Sequence, residues 1–126
     1  MKGRVVLGLL VSLAMAALCG AVQEIAIDTG DEKVTVAKED LDKGEGVFTK
    51  HCATCHSNAE MVRKNPTMNL TDHSWKHGQK LSEIERTIRE GVPDSDMAPM
   101  KDKLLPREVR QVARYVLFVA YRNKER

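Results

Sequence analysis

The chain is poor in cysteine and in aromatic side chains, with three cysteines, one tryptophan, two tyrosines and two phenylalanines in 126 residues. It also has no internal repeat and no low-complexity segment, which excludes stacked repeat architectures and compositionally biased tracts. A basic face is missing as well. Lys2 and Arg4 account for the whole net charge of +2, so the residues after them hold 18 basic and 18 acidic side chains. A nucleic-acid binder needs a basic patch, and this chain offers none in its overall balance.

What is present begins with an export signal. Residues 1–21 set Lys2 and Arg4 ahead of an apolar run from Val5 to Ala17, followed by the small residues around Cys19 to Ala21. That order reads as a signal peptide. The same stretch, Val5 to Val22, is also just long enough to be an uncleaved membrane anchor. Lipid attachment at Cys19 fits less well, because Leu18 is large where a small residue is wanted. Each reading carries the body of the protein out of the cytoplasm, to a periplasm or an equivalent space. The remainder divides into an N-terminal extension (22–38), a main domain (39–123) and a short tail (124–126). These roughly 105 residues make one small domain with a modest core, which a buried cofactor would help to stabilise.

With Cys19 in the leader, only Cys52 and Cys55 remain, in the pentapeptide Cys52-Ala53-Thr54-Cys55-His56. Three chemistries use such a pair. A redox dithiol wants CxxC at the start of a helix that follows a strand in a βαβ unit; here Leu41 to His51 reads as helix and no βαβ alternation follows. A zinc site would combine Cys52 and Cys55 with His73 and His77, at a spacing longer than a zinc finger's. The third reading also employs His56: CxxCH attaches haem c, the thiols adding across two vinyl groups and the adjacent histidine binding iron. Cysteines at i and i+3 lie on one side of a helical turn, as double attachment requires. The export signal and the lack of other cysteines favour this reading, giving one haem c held covalently through Cys52 and Cys55.

Iron held by His56 needs a sixth ligand, and that choice sets the function. A thioether closes the site for electron transfer at high potential, whereas an open position allows gas binding or peroxide chemistry. The methionines beyond the leader are Met61, Met68, Met97 and Met100. Met61 is too near His56 in sequence to cross to the opposite face. Met97 and Met100 occupy an irregular stretch with Pro93 and Pro99 between two helical segments, a loop suited to reaching over a ring. His73 or His77 as a second histidine ligand stays open and would lower the potential.

Periodicity supplies the frame. Helices are expected from about Glu39 to Cys52, from Ser82 through Ile84 and Ile88 to a stop at Gly91 and Pro93, and from Pro106 to Tyr121. Glu85 is expected to complete a capping box with Ser82. In the last helix Val109, Val112, Ala113, Val116 and Val119 recur at helical spacing. Ahead of them, Glu24–Asp28 and Lys33–Ala37 alternate as two short strands around a turn.

Together these features resemble the small class I monohaem cytochromes c over residues 38 to 121. The family commonly reads G-x-P-x-x-x-M-P-x-F before its last helix. Gly91, Pro93 and Met97 match it, while Ala98 takes the proline slot and Met100 the aromatic slot. The resemblance implies a mainly α fold, with three main helices around one haem and a short β-hairpin ahead of them. It implies that Met97 is the distal ligand opposite His56, that Leu70 packs on the ring, and that the Trp75 indole N–H bonds a haem propionate. Gly44, Phe48 and Tyr115 match the positions where the first and last helices cross. The family's P-N-L segment is altered, since Met68 stands in the proline's place before Asn69 and Leu70. A backbone carbonyl needs no particular side chain, so Met68 is still expected to orient His56. The first half, hairpin included, is also similar to the extrinsic cytochrome c of photosystem II, which suggests a docking element.

The expected function is single-electron transfer between redox proteins, without catalysis of the chain's own. A second reading makes the chain a haem-bearing subunit of a larger periplasmic or membrane-associated complex, and a third a peroxidase or gas sensor. Charge hints at how partners dock. Residues 24–45 carry eight acids against three lysines, and residues 101–126 carry eight basic residues against three acids. The acidic N-terminal segment and the basic C-terminal helix are therefore the expected docking surfaces.

Overall fold

The structure, a computed structural model, describes residues 20–122. The expected signal peptide and the tail 124–126 lie outside the described residues, Gly20 and Ala21 apart. Among the described residues no helix is long and apolar enough to cross a membrane.

The chain opens with an antiparallel hairpin, β1 (Glu24–Asp28) and β2 (Lys33–Ala37). Pairing of Ile25 with Val36 and Ile27 with Val34 puts all four apolar side chains on one face. Ile27 and Val36 enter the main core, so the extension packs as part of the same body. The turn is closed by Thr29 N–H to the Glu32 carbonyl (3.0 Å), with Gly30 at φ 91° and its N–H on Asp28 Oδ1 (2.9 Å).

Five helices follow: α1 (Lys38–His51), α2 (Ala53–His56), α3 (Ala59–Lys64), α4 (Leu81–Glu90) and α5 (Pro106–Tyr121), with a single 3₁₀ turn at Pro66–Met68. The three long helices match the expected frame. The two short ones were not expected, because one-turn helices are too brief to show periodicity. Their signals are local: Asn58 Oδ1 accepts the Glu60 and Met61 N–H groups to start α3, and Asn65 Oδ1 accepts that of Thr67 to start the 3₁₀ turn.

α5 forms the spine. Val109, Val112, Ala113, Val116, Leu117, Ala120 and Tyr121 are buried on it, whereas Val119 is only half-buried. Continuing the 109-112-113-116 stripe at 3.6 residues per turn leads to 117 and 120 and rotates 119 to the flank. α1 crosses α5 at Gly44, where an added Cβ would press on the Gln111 carbonyl oxygen and lie 2.9 Å from Tyr115 Cβ. Asp40 Oδ1 accepts from Gln111 Nε2 (2.9 Å), and the Phe48 and Tyr115 rings sit 5.4 Å apart beside the crossing. Ile84 and Ile88 bury α4 against the same core.

The start of α4 corrects the expected cap. The helix begins at Leu81, and Glu83 reaches back to accept the Lys80 N–H (3.0 Å). That hydrogen bond holds its carboxyl below the usual range. Glu85 instead pairs with Arg114 of α5 at 3.7 Å. An N-cap whose side chain contributes nothing gave no cue to the register.

Candidate functional site

α1 ends where the pentapeptide begins. Cys52 leaves helical geometry at φ −122°, its N–H on the Phe48 carbonyl (2.8 Å), and its own carbonyl accepts from the N–H groups of both Cys55 (3.2 Å) and His56 (3.0 Å). The two cysteines therefore stand one turn apart, with His56 beside them. The two are not joined in a disulfide, and both are half-buried. Burial first, and the neighbouring Cys55 second, push the Cys52 thiol up to about 11. A redox dithiol needs the opposite shift. The helix leading into the motif counts against that chemistry as well.

His56 is oriented by the backbone. Its Nδ1 lies 2.8 Å from the Met68 carbonyl oxygen, which can only accept, so Nδ1 carries the proton and Nε2 keeps the lone pair for a metal. The 3₁₀ turn positions that carbonyl, and Asn65 holds the turn through the Thr67 hydroxyl (2.6 Å). Leu70, Trp75, Met97, Met100 and Cys52 are all half-buried and packed against the core.

Trp75 Nε1 is buried with no hydrogen-bond partner among the protein's atoms. A buried donor left unsatisfied costs about 1–3 kcal/mol, so this N–H calls for an acceptor from a bound group. Met97 sits in a tightly bound loop. Its carbonyl accepts from Val92 N–H (3.0 Å), its N–H reaches Ser95 Oγ (3.2 Å), and Ser95 Oγ donates to the Val92 carbonyl (2.7 Å). Met100 N–H bonds the Ile88 carbonyl (3.1 Å), folding the loop back on α4. Gly91 makes this return possible. At φ 70° an added Cβ would lie 2.6 Å from the Met97 carbonyl oxygen.

Among the described residues no three His, Cys, Asp or Glu side chains converge on one point. The set of Cys52, Cys55, His73 and His77 is thus not assembled as a zinc site. His73 packs edge-on against Tyr121, ring centroids 4.5 Å apart, and His77 is exposed.

Residues 39–116 match the protein family described as cytochrome c oxidase, cbb3-type, subunit III. The chain belongs to this family of c-type cytochromes. It is 32% identical over 128 residues to a cbb3-type cytochrome c oxidase subunit FixP of Sinorhizobium medicae, covering 92% of this chain and 44% of that protein. A subunit CcoP of Rubrivivax gelatinosus is 39% identical over 75 residues, 59% of this chain and 24% of the relative. A cytochrome c6-like protein of a Nostoc species is 31% identical over 80 residues, 63% of this chain and 70% of the relative. The chain thus spans less than half the length of the oxidase subunits it matches.

Haem c is the cofactor of this cytochrome, and electron transfer its role. The residues present fit the group: two thiols on one turn, a histidine with Nε2 available, a buried indole N–H wanting an acceptor, and methionines in a braced loop.

The acidic N-terminal segment and the basic last helix meet where α1 packs on α5. Two acids of α1 pair within their own helix, Asp42 with Lys38 and Glu39 with Lys43, each at 2.6 Å. Asp40 and Glu45 meet α5 itself, Tyr115 donating to Glu45 at 3.4 Å. Burial, then the Glu45 charge, pushes the Tyr115 phenol up. Sequence counts could not reveal this, because the two segments are packed side by side. A groove of about 390 Å³ lies between α1 and α5, lined by Lys50, His51 and Arg107 together with Lys43, Gly46, Val47, Glu108 and Gln111. Lys50, His51 and Arg107 make no ion pair among the described residues.

Proposed function

We propose that the chain is the haem-bearing electron-transfer module of a larger, membrane-associated redox complex. The observation that carries this reading is the likeness to an oxidase subunit across 92% of this chain. Cys52 and Cys55 tether the haem, His56 Nε2 and the Met97 sulfur ligate its iron, Leu70 packs on the ring, and Trp75 donates to a propionate. The bound group supplies the one-electron redox couple. The protein's own residues fix its axial ligands, exclude water from one face and hold it at a docking surface.

Residues 39–123 form the cytochrome domain, 22–38 an extension that packs on it, and 1–21 an export signal that places the domain outside the cytoplasm. The docking surface is the groove beside Cys52, whose immediate neighbour His51, with Lys50 and Arg107, faces an acidic segment of the redox partner.

A free carrier is the second reading, supported by the cytochrome c6-like relative, 70% of whose length this chain spans. Size-exclusion of the haem-stained protein from mild detergent extracts of its host separates the two. Co-elution with oxidase activity at high mass is the expected result. Elution at monomer mass from the soluble fraction contradicts the complex and favours the carrier. Carbon monoxide binding to the reduced protein at neutral pH would point instead to a gas sensor or peroxidase.

A further inference from the structure

Trp75 lies in a segment without regular secondary structure, between the 3₁₀ turn and α4, yet that segment is held at several points. Asp72 Oδ1 accepts the Ser74 N–H (3.0 Å), and Gly78 turns the chain at φ 96°. His73, two residues before the tryptophan, adopts φ 59°. This left-handed conformation is strained for a non-glycine residue and persists only where the surroundings impose it.

The imposing group is Gln79. Its Nε2 donates to the His73 carbonyl at 2.6 Å, while its Oε1 accepts from the Tyr121 hydroxyl at 3.0 Å. The last residue of α5 is thereby joined to the strained residue of the Trp75 turn, and the Tyr121 ring also meets the His73 imidazole edge-on. The hairpin reaches the end of that segment, at the first residue of α4. Glu32 Oε1 accepts the Leu81 N–H at 2.6 Å, across 49 residues of sequence. Burial, with the charges of Asp31 and Glu32, pushes the Tyr121 phenol up, so its hydroxyl remains a donor throughout the neutral range.

We infer that Tyr121, Gln79 and Glu32 are positioning residues for the Trp75 indole N–H, so that the hairpin and the last helix together tune the haem's reduction potential. The inference rests on the reading of Trp75 as a donor to a haem carboxylate. A carboxylate charge near the iron favours the ferric state. A well-aimed N–H spreads that charge and favours the ferrous state. A loosened turn misdirects the indole, and the potential falls.

Redox titration of the full-length holoprotein tests this. Trp75→Phe is expected to lower the potential, and Tyr121→Phe, Gln79→Leu and Glu32→Ala to lower it by a smaller amount. Glu32→Gln, which keeps an acceptor, restores the wild-type value. The double variant Trp75→Phe with Tyr121→Phe falls no lower than Trp75→Phe alone, since the hydroxyl acts through the indole. The inference is overturned if Trp75→Phe lowers the potential while Tyr121→Phe and Gln79→Leu alter only the unfolding midpoint. Additive shifts in the double variant overturn it as well. A Trp75→Phe variant at wild-type potential removes the reading of Trp75 and this inference with it.

Discussion

His56 donates its Nδ1 proton to the Met68 carbonyl across 2.8 Å, and this one bond separates the roles of two residues that could each have offered a ligand. The bond leaves the His56 Nε2 lone pair free for a metal, and Met68 takes part through its backbone carbonyl.

Met68→Leu therefore leaves the carbonyl in place and is expected to keep haem content and reduction potential at wild-type values. A potentiometric titration checks this. A changed potential would mean that the Met68 side chain has a part the hydrogen bond does not explain.

Gly44 marks the closest approach of α1 and α5, with the Gln111 backbone against any added Cβ. Backbone cannot rotate aside as a side chain can. Gly44→Ala is expected to destabilise the holoprotein by roughly 1–3 kcal/mol through overpacking, read from denaturant unfolding. An unchanged midpoint would contradict the crossing.

Glu83 accepts the Lys80 N–H, which lowers its carboxyl below its ordinary value of 4.5. A group whose folded value is depressed adds stability above its unfolded value and loses it as pH falls through the folded one. Glu83→Ala is expected to be less stable than wild type at neutral pH, with the gap closing as pH drops below that ordinary value. A gap independent of pH would remove the charge from the explanation.

The Cys52 thiol, pushed up to about 11 by burial and by Cys55, is poorly suited to disulfide exchange, which leaves the tether reading to be tested directly. Replacing both Cys52 and Cys55 by alanine is expected to abolish haem staining on a denaturing gel. Staining that survives the double replacement would rule out thioether attachment at these positions.

Much of the fold was legible because its long elements carry strong periodic signals. Val109 to Val116 announced α5, and the alternation of Ile25, Ile27, Val34 and Val36 announced the hairpin. α2 and α3 were not legible, being too short to repeat the helical period. The α4 cap was misplaced because Lys80 offers no capping side chain, and Ser82 with Glu85 mimicked one. Of the candidate site, the CxxCH cluster was readable from local spacing, and the Met68 carbonyl only through the resemblance to the small cytochromes c, by its place before Asn69 and Leu70. The Gln79–Tyr121 bond spans 42 residues and the Glu32–Leu81 bond 49, and contacts of that kind leave no trace in a local pattern. Charge counts do not show how the acidic and basic segments lie in space, and packing of α1 on α5 sets parts of the two side by side.

The central claim is that haem iron sits between His56 and Met97 as a closed electron-transfer site. Its most direct test is the absorption spectrum of the oxidised protein, in which a weak near-red band reports sulfur bound to ferric iron. The band is predicted in the wild type and in Met100→Leu and absent from Met97→Leu, whose reduced form alone gains carbon monoxide binding. Retention of the band in Met97→Leu, or carbon monoxide binding by the wild type at neutral pH, would contradict it.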